Sequence, residues 1–161
     1  TGVQTCALPI LAPLPRAYQR LTGNAYANHA ALFFTVAMLA VTTYFLFGSI
    51  PLLILKHDNT MDSKFIRSFY ITYFKFAIVV ATAATISYAM AGRHVLTAEA
   101  AIIATLTLIL RFKFIPQMDQ LGSEIRDNNL MAIPEFRKIH KTAILLNATQ
   151  LITVLGSLSL I

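Results

Sequence analysis

The sequence predicts an all-α fold, an integral membrane four-helix bundle, and three observations support this prediction. Of the 161 residues, 57% are hydrophobic and 12% are charged, whereas soluble domains are typically about 25% charged. A soluble domain of this size could not cover so much apolar surface, because small domains leave a large share of their area in water. Four segments are mainly apolar over roughly 20 residues, the length that a helix needs to cross about 30 Å of hydrocarbon.

The first predicted helix covers residues 30–55 and contains no charged side chain. Pro51 predicts a kink or a break in its last turns, because proline has no backbone N–H to donate. The second predicted helix covers residues 69–91 and carries one charge, that of Lys75. It ends at Gly92, and glycine is common just past the C-terminus of a helix.

The third predicted helix covers residues 95–115. Thr97 can cap its start, and Glu99 is then expected in its first turn, where the helix dipole favours a carboxylate. The fourth predicted helix covers residues 142–161 and contains no charge. The four helices together form a predicted transmembrane domain, residues 30–161.

Residues before this domain call for a different interpretation. The first ten, TGVQTCALPI, resemble the translation of a sequencing adapter, so residues 1–10 are expected to be an artefact and the chain a fragment. The only cysteine, Cys6, lies in this stretch, and the remaining sequence therefore offers no disulfide or thiolate chemistry. Residues 11–29 are expected to form an N-terminal interfacial segment.

Lys and Arg are distributed unequally between the two sides of the predicted bundle. One side carries nine of them: Lys56, Lys64, Arg67, Arg111, Lys113, Arg126, Arg137, Lys138 and Lys141. The other side carries three: Arg16, Arg20 and Arg93. The protein is expected in a bacterial inner membrane. Cytoplasmic loops hold the excess of Lys and Arg, so loops 56–68 and 116–141 are expected on the cytoplasmic side. The formal charge of +6 is thus membrane-flanking, and without a compact basic face it does not indicate nucleic-acid binding.

Ionisable groups within a membrane span are costly, so each is a candidate for function. Lys75 has two interpretations. In the first, which its aromatic neighbours favour, its stem lies along apolar surface while the ammonium reaches the headgroups. In the second, it faces the bundle interior and pairs with an anionic ligand or with Glu99.

The fourth helix carries a stripe of polar residues. Spacings of seven, three and seven positions place four of them on one helical face, which Phe136 joins: His140, Asn147, Gln150 and Ser157. Asn147 and Gln150 are expected to form hydrogen bonds with neighbouring helices, since amides in lipid need partners there. For His140, a proton relay, a ligand contact or a metal ligand is the functional alternative.

No soluble catalytic motif is found in the sequence, which favours a non-enzymatic protein. A small transport-related or structural membrane component without a cofactor is the first hypothesis, with the lipid bilayer and a homo-oligomer or another membrane protein as partners. The alternative is a haem- or metal-binding redox protein, because some compact four-helix membrane families bind haem through histidines at helix ends. His29, His140 and Lys75 would then be the candidate ligands.

One segment, EFRKIHKTAILLNATQL, resembles the C-terminal signature of the transmembrane protein 205-like family. The segments IPLLIL, SFYITYFKF and RFKFIPQMDQL resemble further parts of that family in the same order, and the resemblance covers residues 30–161. The chain departs from the family by lacking a glycine in the middle of the first helix and by having Lys141 after the histidine. The resemblance implies a four-helix membrane domain of unknown function. Its family-typical positions are Pro51, Pro116, Phe136, His140 and Asn147.

Overall fold

Four α-helices make up most of the chain that the structure, a computed structural model, describes, namely residues 16–54 and 60–159. The helices are α1 (Arg16–Leu52), α2 (Thr60–Met90), α3 (His94–Arg126) and α4 (Ala132–Leu158). No strand occurs within the two described ranges, which confirms the predicted all-α four-helix bundle. The suspected artefact at residues 1–10, and the first part of the predicted interfacial segment, lie outside the described residues.

The helices extend beyond the apolar stretches that predict them. α1 begins at Arg16 and passes through the predicted interfacial segment without a break. α3 continues to Arg126 and α4 begins at Ala132, so most of segment 116–141 is helical. A helix satisfies its backbone polar groups internally, and it can therefore continue from hydrocarbon into water wherever its side chains become charged.

Every helix contains a span that is long and apolar enough to cross a bilayer. These spans are Ala25–Leu52, Met61–Met90, His94–Arg126 and Ala132–Leu158. Between 22% and 33% of the residues in their apolar windows are buried inside the bundle. The remaining apolar surface faces outward, and an apolar surface of that extent is suited to lipid rather than to water. The protein is therefore a multi-pass membrane protein in contact with the bilayer.

The helices form a ring in which each packs against the next and α4 returns to α1. Sequential helices are antiparallel. Arg67 near the start of α2 pairs with Asp119 near the end of α3, while Tyr88 near the end of α2 packs beside Leu96 at the start of α3. Helices α2 and α4 are parallel and lie across the diagonal of the ring. Only long side chains can therefore reach from one of them to the other.

Buried residues recur mainly at steps of three and four along the helices, and the two steps alternate strictly from Ala31 onward on α1. On α1 the buried face consists of Ala27, Ala31, Thr35, Met38, Thr42, Phe45 and Ser49. This seven-residue period is typical of helices that pack nearly parallel or antiparallel in a left-handed bundle. Three of these seven α1 positions are hydroxyl residues, and they are themselves seven residues apart, so the interior of the bundle is polar at regular levels.

The connections between helices use backbone conformations that suit their residues. Gly92 follows α2 with a φ of 72°, which is the left-handed conformation that glycine adopts without steric cost at the end of a helix. Asn128 has a φ of 61° between α3 and α4, and asparagine is among the few other residues that tolerate this region. The two tight turns keep neighbouring helices antiparallel.

Candidate functional site in the polar interior of the bundle

The predicted polar face of α4 is confirmed, and it points into the bundle. Phe136 and His140 are 0% exposed, and Asn147 and Gln150 are 3% and 5% exposed. Ser157, one further position on the same face, is also buried. These residues meet side chains of the other three helices at three levels along the bundle axis, which we name the histidine, amide and carboxylate levels.

The histidine level joins α4 to α1 and α2. His140 Nε2 lies 3.2 Å from the backbone carbonyl oxygen of Ser49. A carbonyl oxygen accepts only, so this contact requires the proton on Nε2. The Tyr70 hydroxyl donates to the backbone carbonyl oxygen of His140 at 3.4 Å, and the two rings meet edge to face with centroids 5.6 Å apart. His140 is therefore held in one orientation between three helices.

The amide level joins α4 to α2 and α3 through one continuous set of hydrogen bonds. Asn147 Nδ2 donates to the Tyr73 hydroxyl at 2.8 Å, and this hydroxyl donates to Gln150 Oε1 at 3.2 Å. Gln150 Nε2 donates to the Thr107 hydroxyl at 3.4 Å. The Thr107 hydroxyl in turn donates to the carbonyl oxygen of Ile103 at 2.7 Å. Both amides thus have the interhelical partners that the sequence predicts.

One acceptor at the amide level has no partner among the described residues. Asn147 Oδ1 is buried and receives no hydrogen bond there. It belongs to a residue that lines a cavity of about 10 Å³, together with Phe45, Phe114 and Gln150. A site of roughly 10–15 Å³ holds one water molecule when polar groups are present to bind it. The cavity therefore has the size and the chemistry for a single water.

The carboxylate level joins α4 to α3, with a second pair between α1 and α2. The Ser157 hydroxyl donates to Glu99 Oε1, and the hydroxyls of Thr35 and Tyr88 are 2.5 Å apart. These four side chains line a cavity of about 20 Å³, which is large enough for one water. A carboxylate, a hydroxyl pair and a water-sized space lie together at this end.

The position of Glu99 corrects one sequence-based expectation. The helix begins at His94, with Arg93 as the residue before it, so Glu99 lies in the second turn and not in the first. Thr97 does not cap the helix, because its hydroxyl donates to the backbone carbonyl oxygen of Arg93 from within the first turn. Glu99 is stabilised by the Ser157 hydroxyl at a point where the helix dipole has weakened.

An apolar layer separates the carboxylate level from the amide level. One residue from each helix forms it: Met38, Ala81, Ile103 and Val154. Between the amide and histidine levels, the rings of Phe45, Tyr70 and Tyr73 belong to one buried hydrophobic cluster with Phe136. The interior therefore has three polar levels with apolar side chains packed between them.

Lys75 lies on the outer face of α2, exposed from the bundle. Its neighbours Tyr73 and Phe74 are buried. Successive side chains on a helix are about 100° apart, so the side chain of Lys75 points toward the lipid. The interpretation in which Lys75 pairs with Glu99 is wrong, because the Glu99 carboxylate faces Ser157. The exposed position fits the alternative in which the stem lies along apolar surface.

The two histidines considered as metal ligands do not meet. His29 is exposed, and its Nδ1 lies 2.7 Å from the carbonyl oxygen of Ala25 in the same helix. His140 contacts Ser49, which lies 20 residues beyond His29 on α1, a separation of about 30 Å along a helix that rises 1.5 Å per residue. Within residues 16–54 and 60–159, no group of three or more His, Cys, Asp or Glu side chains could hold a metal ion.

The two prolines from the family resemblance lie outside the polar interior. Pro51 is exposed one residue before α1 ends, and Pro116 is exposed within α3. Sequence reasoning also missed the partners of the α4 face, which are Tyr70, Tyr73 and Thr107. A signal for a polar interior exists on α1, where Thr35, Thr42 and Ser49 have the same seven-residue spacing as His140 and Asn147 on α4.

No protein family, curated protein or solved structure matches this chain. The resemblance to the transmembrane protein 205-like family therefore stays a prediction, and the geometry of the three levels carries the functional argument.

Proposed function

We propose that this chain is a non-enzymatic, transport-related membrane component whose interior transfers protons. The observation that supports this most directly is the order of exchangeable groups along the axis: a carboxylate at Glu99, amides and hydroxyls in the centre, and an imidazole at His140. Ser157, the partner of Glu99, and His140 are 17 residues apart on α4. This corresponds to about 25 Å, most of the thickness of the hydrocarbon.

The size of the interior limits what could be carried. The two cavities that adjoin the polar levels measure about 20 Å³ and about 10 Å³, and each has room for about one water molecule. A sugar, an amino acid or a nucleotide has no space between helices packed in this way. A proton needs only a chain of hydrogen-bonded groups, and Tyr73 and Gln150 supply one such hydrogen bond at 3.2 Å.

A second candidate function is purely structural, and the apolar layer favours it. Met38, Ala81, Ile103 and Val154 interrupt the polar path, so a proton could pass only when water enters the layer. Without such entry, the three levels hold the helices together through interhelical hydrogen bonds, as polar side chains commonly do in membranes. The chain would then act as a compact membrane component of a larger assembly or of a homo-oligomer.

Proton flux into vesicles separates the two candidates. The protein is reconstituted in vesicles that contain a pH-sensitive dye, and an acid pulse is applied under a potassium diffusion potential. We expect faster internal acidification than in protein-free vesicles, and we expect Glu99→Gln to return the rate to the background. Asp127→Asn is the matched control, because Asp127 is exposed at the opposite end of the bundle. Wild-type protein that is folded and inserted but no faster than empty vesicles would overturn the proton proposal and leave the structural one.

We also propose in which membrane the protein lies and which end of the bundle faces the cytoplasm. The proposed membrane is a bacterial inner membrane, and the excess of Lys and Arg at one end supports loops 56–68 and 116–141 in the cytoplasm. Lys64 and Arg67 on α2 lie at the same end as Arg126 on α3 and Lys138 on α4, because the helices alternate in direction. Glu99 would then lie near the outer surface and His140 near the inner one. Membership in the transmembrane protein 205-like family is part of the same proposal.

A further inference from the structure

A groove of about 520 Å³ opens between α3 and α4 at the end of the bundle where His140 lies. Its polar wall consists of Lys113, Gln117, Gln120, Glu135, Lys138 and Thr142. Three apolar side chains complete the lining, namely Phe114, Leu121 and Ile139. The groove is more than ten times larger than either interior cavity, and it is distinct from the polar levels of the interior.

The groove lies where the hydrocarbon ends. On α3 it begins at Lys113, just beyond the uncharged stretch 100–110, and on α4 it ends at Thr142, where the uncharged stretch begins. Gln120 and Glu135 line its other end, toward water. A single groove therefore extends from the edge of the acyl chains into the headgroup region.

The charged residues that line the groove favour an anionic ligand. Lys113 and Lys138 are both exposed, and neither forms an ion pair with another described residue. Glu135 is the single carboxylate in the lining, against two ammonium groups, and Lys141 is exposed close by on α4. The Thr142 hydroxyl and one N–H of Gln120 already donate within their own helices. The two lysines, the Gln117 amide and the second N–H of Gln120 are the polar donors that remain for a ligand.

We propose that this groove binds the headgroup of an anionic phospholipid, with its phosphate between Lys113 and Lys138. The apolar lining and the position at the edge of the hydrocarbon favour a lipid over a soluble phosphate compound, because acyl chains could continue from the groove along the apolar outer faces of α3 and α4. Basic pockets between transmembrane helices on the cytoplasmic side are known to hold such headgroups. The inference does not depend on proton transfer.

Native mass spectrometry of the purified full chain with added dioleoylphosphatidylglycerol tests the proposal, with dioleoylphosphatidylcholine and inorganic phosphate as comparison ligands. We expect phosphatidylglycerol to be retained in preference to phosphatidylcholine. A lysine near the membrane surface contributes roughly fivefold to the affinity for anionic lipid, so the double variant Lys113→Gln, Lys138→Gln should bind about 30-fold more weakly. Lys64→Gln is the matched control, because Lys64 is exposed at the same end on α2, outside the groove.

A third variant keeps the test decisive if the double variant folds poorly. Glu135→Gln removes the carboxylate of the groove and should strengthen phosphatidylglycerol binding by several fold. Equal binding of the two lipids, or an unchanged affinity in the double variant and in Glu135→Gln, would overturn the proposal. The proposal would also be overturned if inorganic phosphate alone stabilised the protein against heat as much as phosphatidylglycerol does. The groove would then be a site for a free anion and not for a lipid headgroup.

Discussion

Asn147 on α4 donates a hydrogen bond to the hydroxyl of Tyr73 on α2, at 2.8 Å, although these two helices lie across the diagonal of the bundle. The tyrosine side chain is long enough to reach the centre of the ring from α2, and its hydroxyl also donates to Gln150. A single phenolic oxygen thus holds both amides of α4. Removing this hydroxyl should therefore lower the free energy of unfolding more than removing either amide.

Replacing Tyr73 with Phe should destabilise the protein more than replacing Asn147 with Leu. Tyr73→Phe leaves two buried amide groups without a partner, each at a cost of about 1–3 kcal/mol. Asn147→Leu removes the Nδ2 donor together with the buried Oδ1 that has no partner among the described residues, so we expect a loss of about 1 kcal/mol or less. The free energy of unfolding in mixed micelles measures both. Thr149→Leu, at an exposed position of α4, is the control, and a larger loss for Asn147→Leu would contradict this assignment.

Gly48→Ala should destabilise the packing of α1 against α2. A Cβ added there would lie 2.5 Å from Cζ of Phe69, so the Phe69 ring, which stacks on Phe45 at a centroid distance of 5.4 Å, must move. Overpacking of this kind costs about 1–3 kcal/mol, and Gly48→Ala should lower the thermal midpoint.

Two further variants control the Gly48 experiment. Gly156→Ala places a Cβ where no atom lies within 4 Å, and it should stabilise α4 by about 0.5–1 kcal/mol through helix propensity alone. Phe69→Leu should restore part of the stability of Gly48→Ala. Equal effects of the two glycine substitutions would mean that the contact with Phe69 does not limit the packing of α1 against α2.

Lys75 should be replaceable by Met without loss of folding. Its side chain is exposed on the lipid side of α2, so its charge contributes to the position of the helix and not to an interior ion pair. Expression level and the elution profile in detergent measure the outcome. Ala77→Met is the contrasting variant, because Ala77 is 1% exposed two residues further on, and the larger side chain should destabilise by about 1–3 kcal/mol. A severe loss for Lys75→Met alone would point to a buried partner.

The orientation can be tested with two cysteines at opposite ends of the bundle. In a Cys6→Ser background, an impermeant maleimide added to intact cells should label His94→Cys and leave Asp127→Cys unlabelled. Both positions are exposed in the structure, so both should react after the membrane is permeabilised. Labelling of Asp127→Cys alone from outside would reverse the orientation.

The sequence was sufficient to predict the fold and the inner face of α4, because both depend on local patterns. Long apolar stretches require hydrocarbon whatever their neighbours, and spacings of seven and three define one face of any helix. The partners of that face could not be predicted in the same way. Whether Tyr73 or another hydroxyl meets Asn147 depends on how far α2 is shifted along α4, which only the packing of all four helices determines.

The charged residues illustrate the same limit. Glu99 and Lys75 are both unusual within apolar segments, and the sequence offered their mutual pairing as one interpretation. Lys75 lies one residue beyond a buried pair of aromatic rings, and Glu99 is one helical turn from the buried Ile103. The direction of each side chain follows from these neighbours, so the packing of α2 and α3 separates the two charges.

The apolar layer affects the register that α4 adopts when the bundle assembles. In lipid, apolar faces alone would let one helix slide along another by seven residues and repeat nearly the same contacts. If α4 slid so that His140 took the place of Asn147, then Asn147 would enter the layer of Met38, Ala81 and Ile103, and Gln150 would face Glu99. An amide stranded among those side chains would cost about 1–3 kcal/mol. The three apolar residues that α1, α2 and α3 contribute to this layer thereby help to set the register of α4.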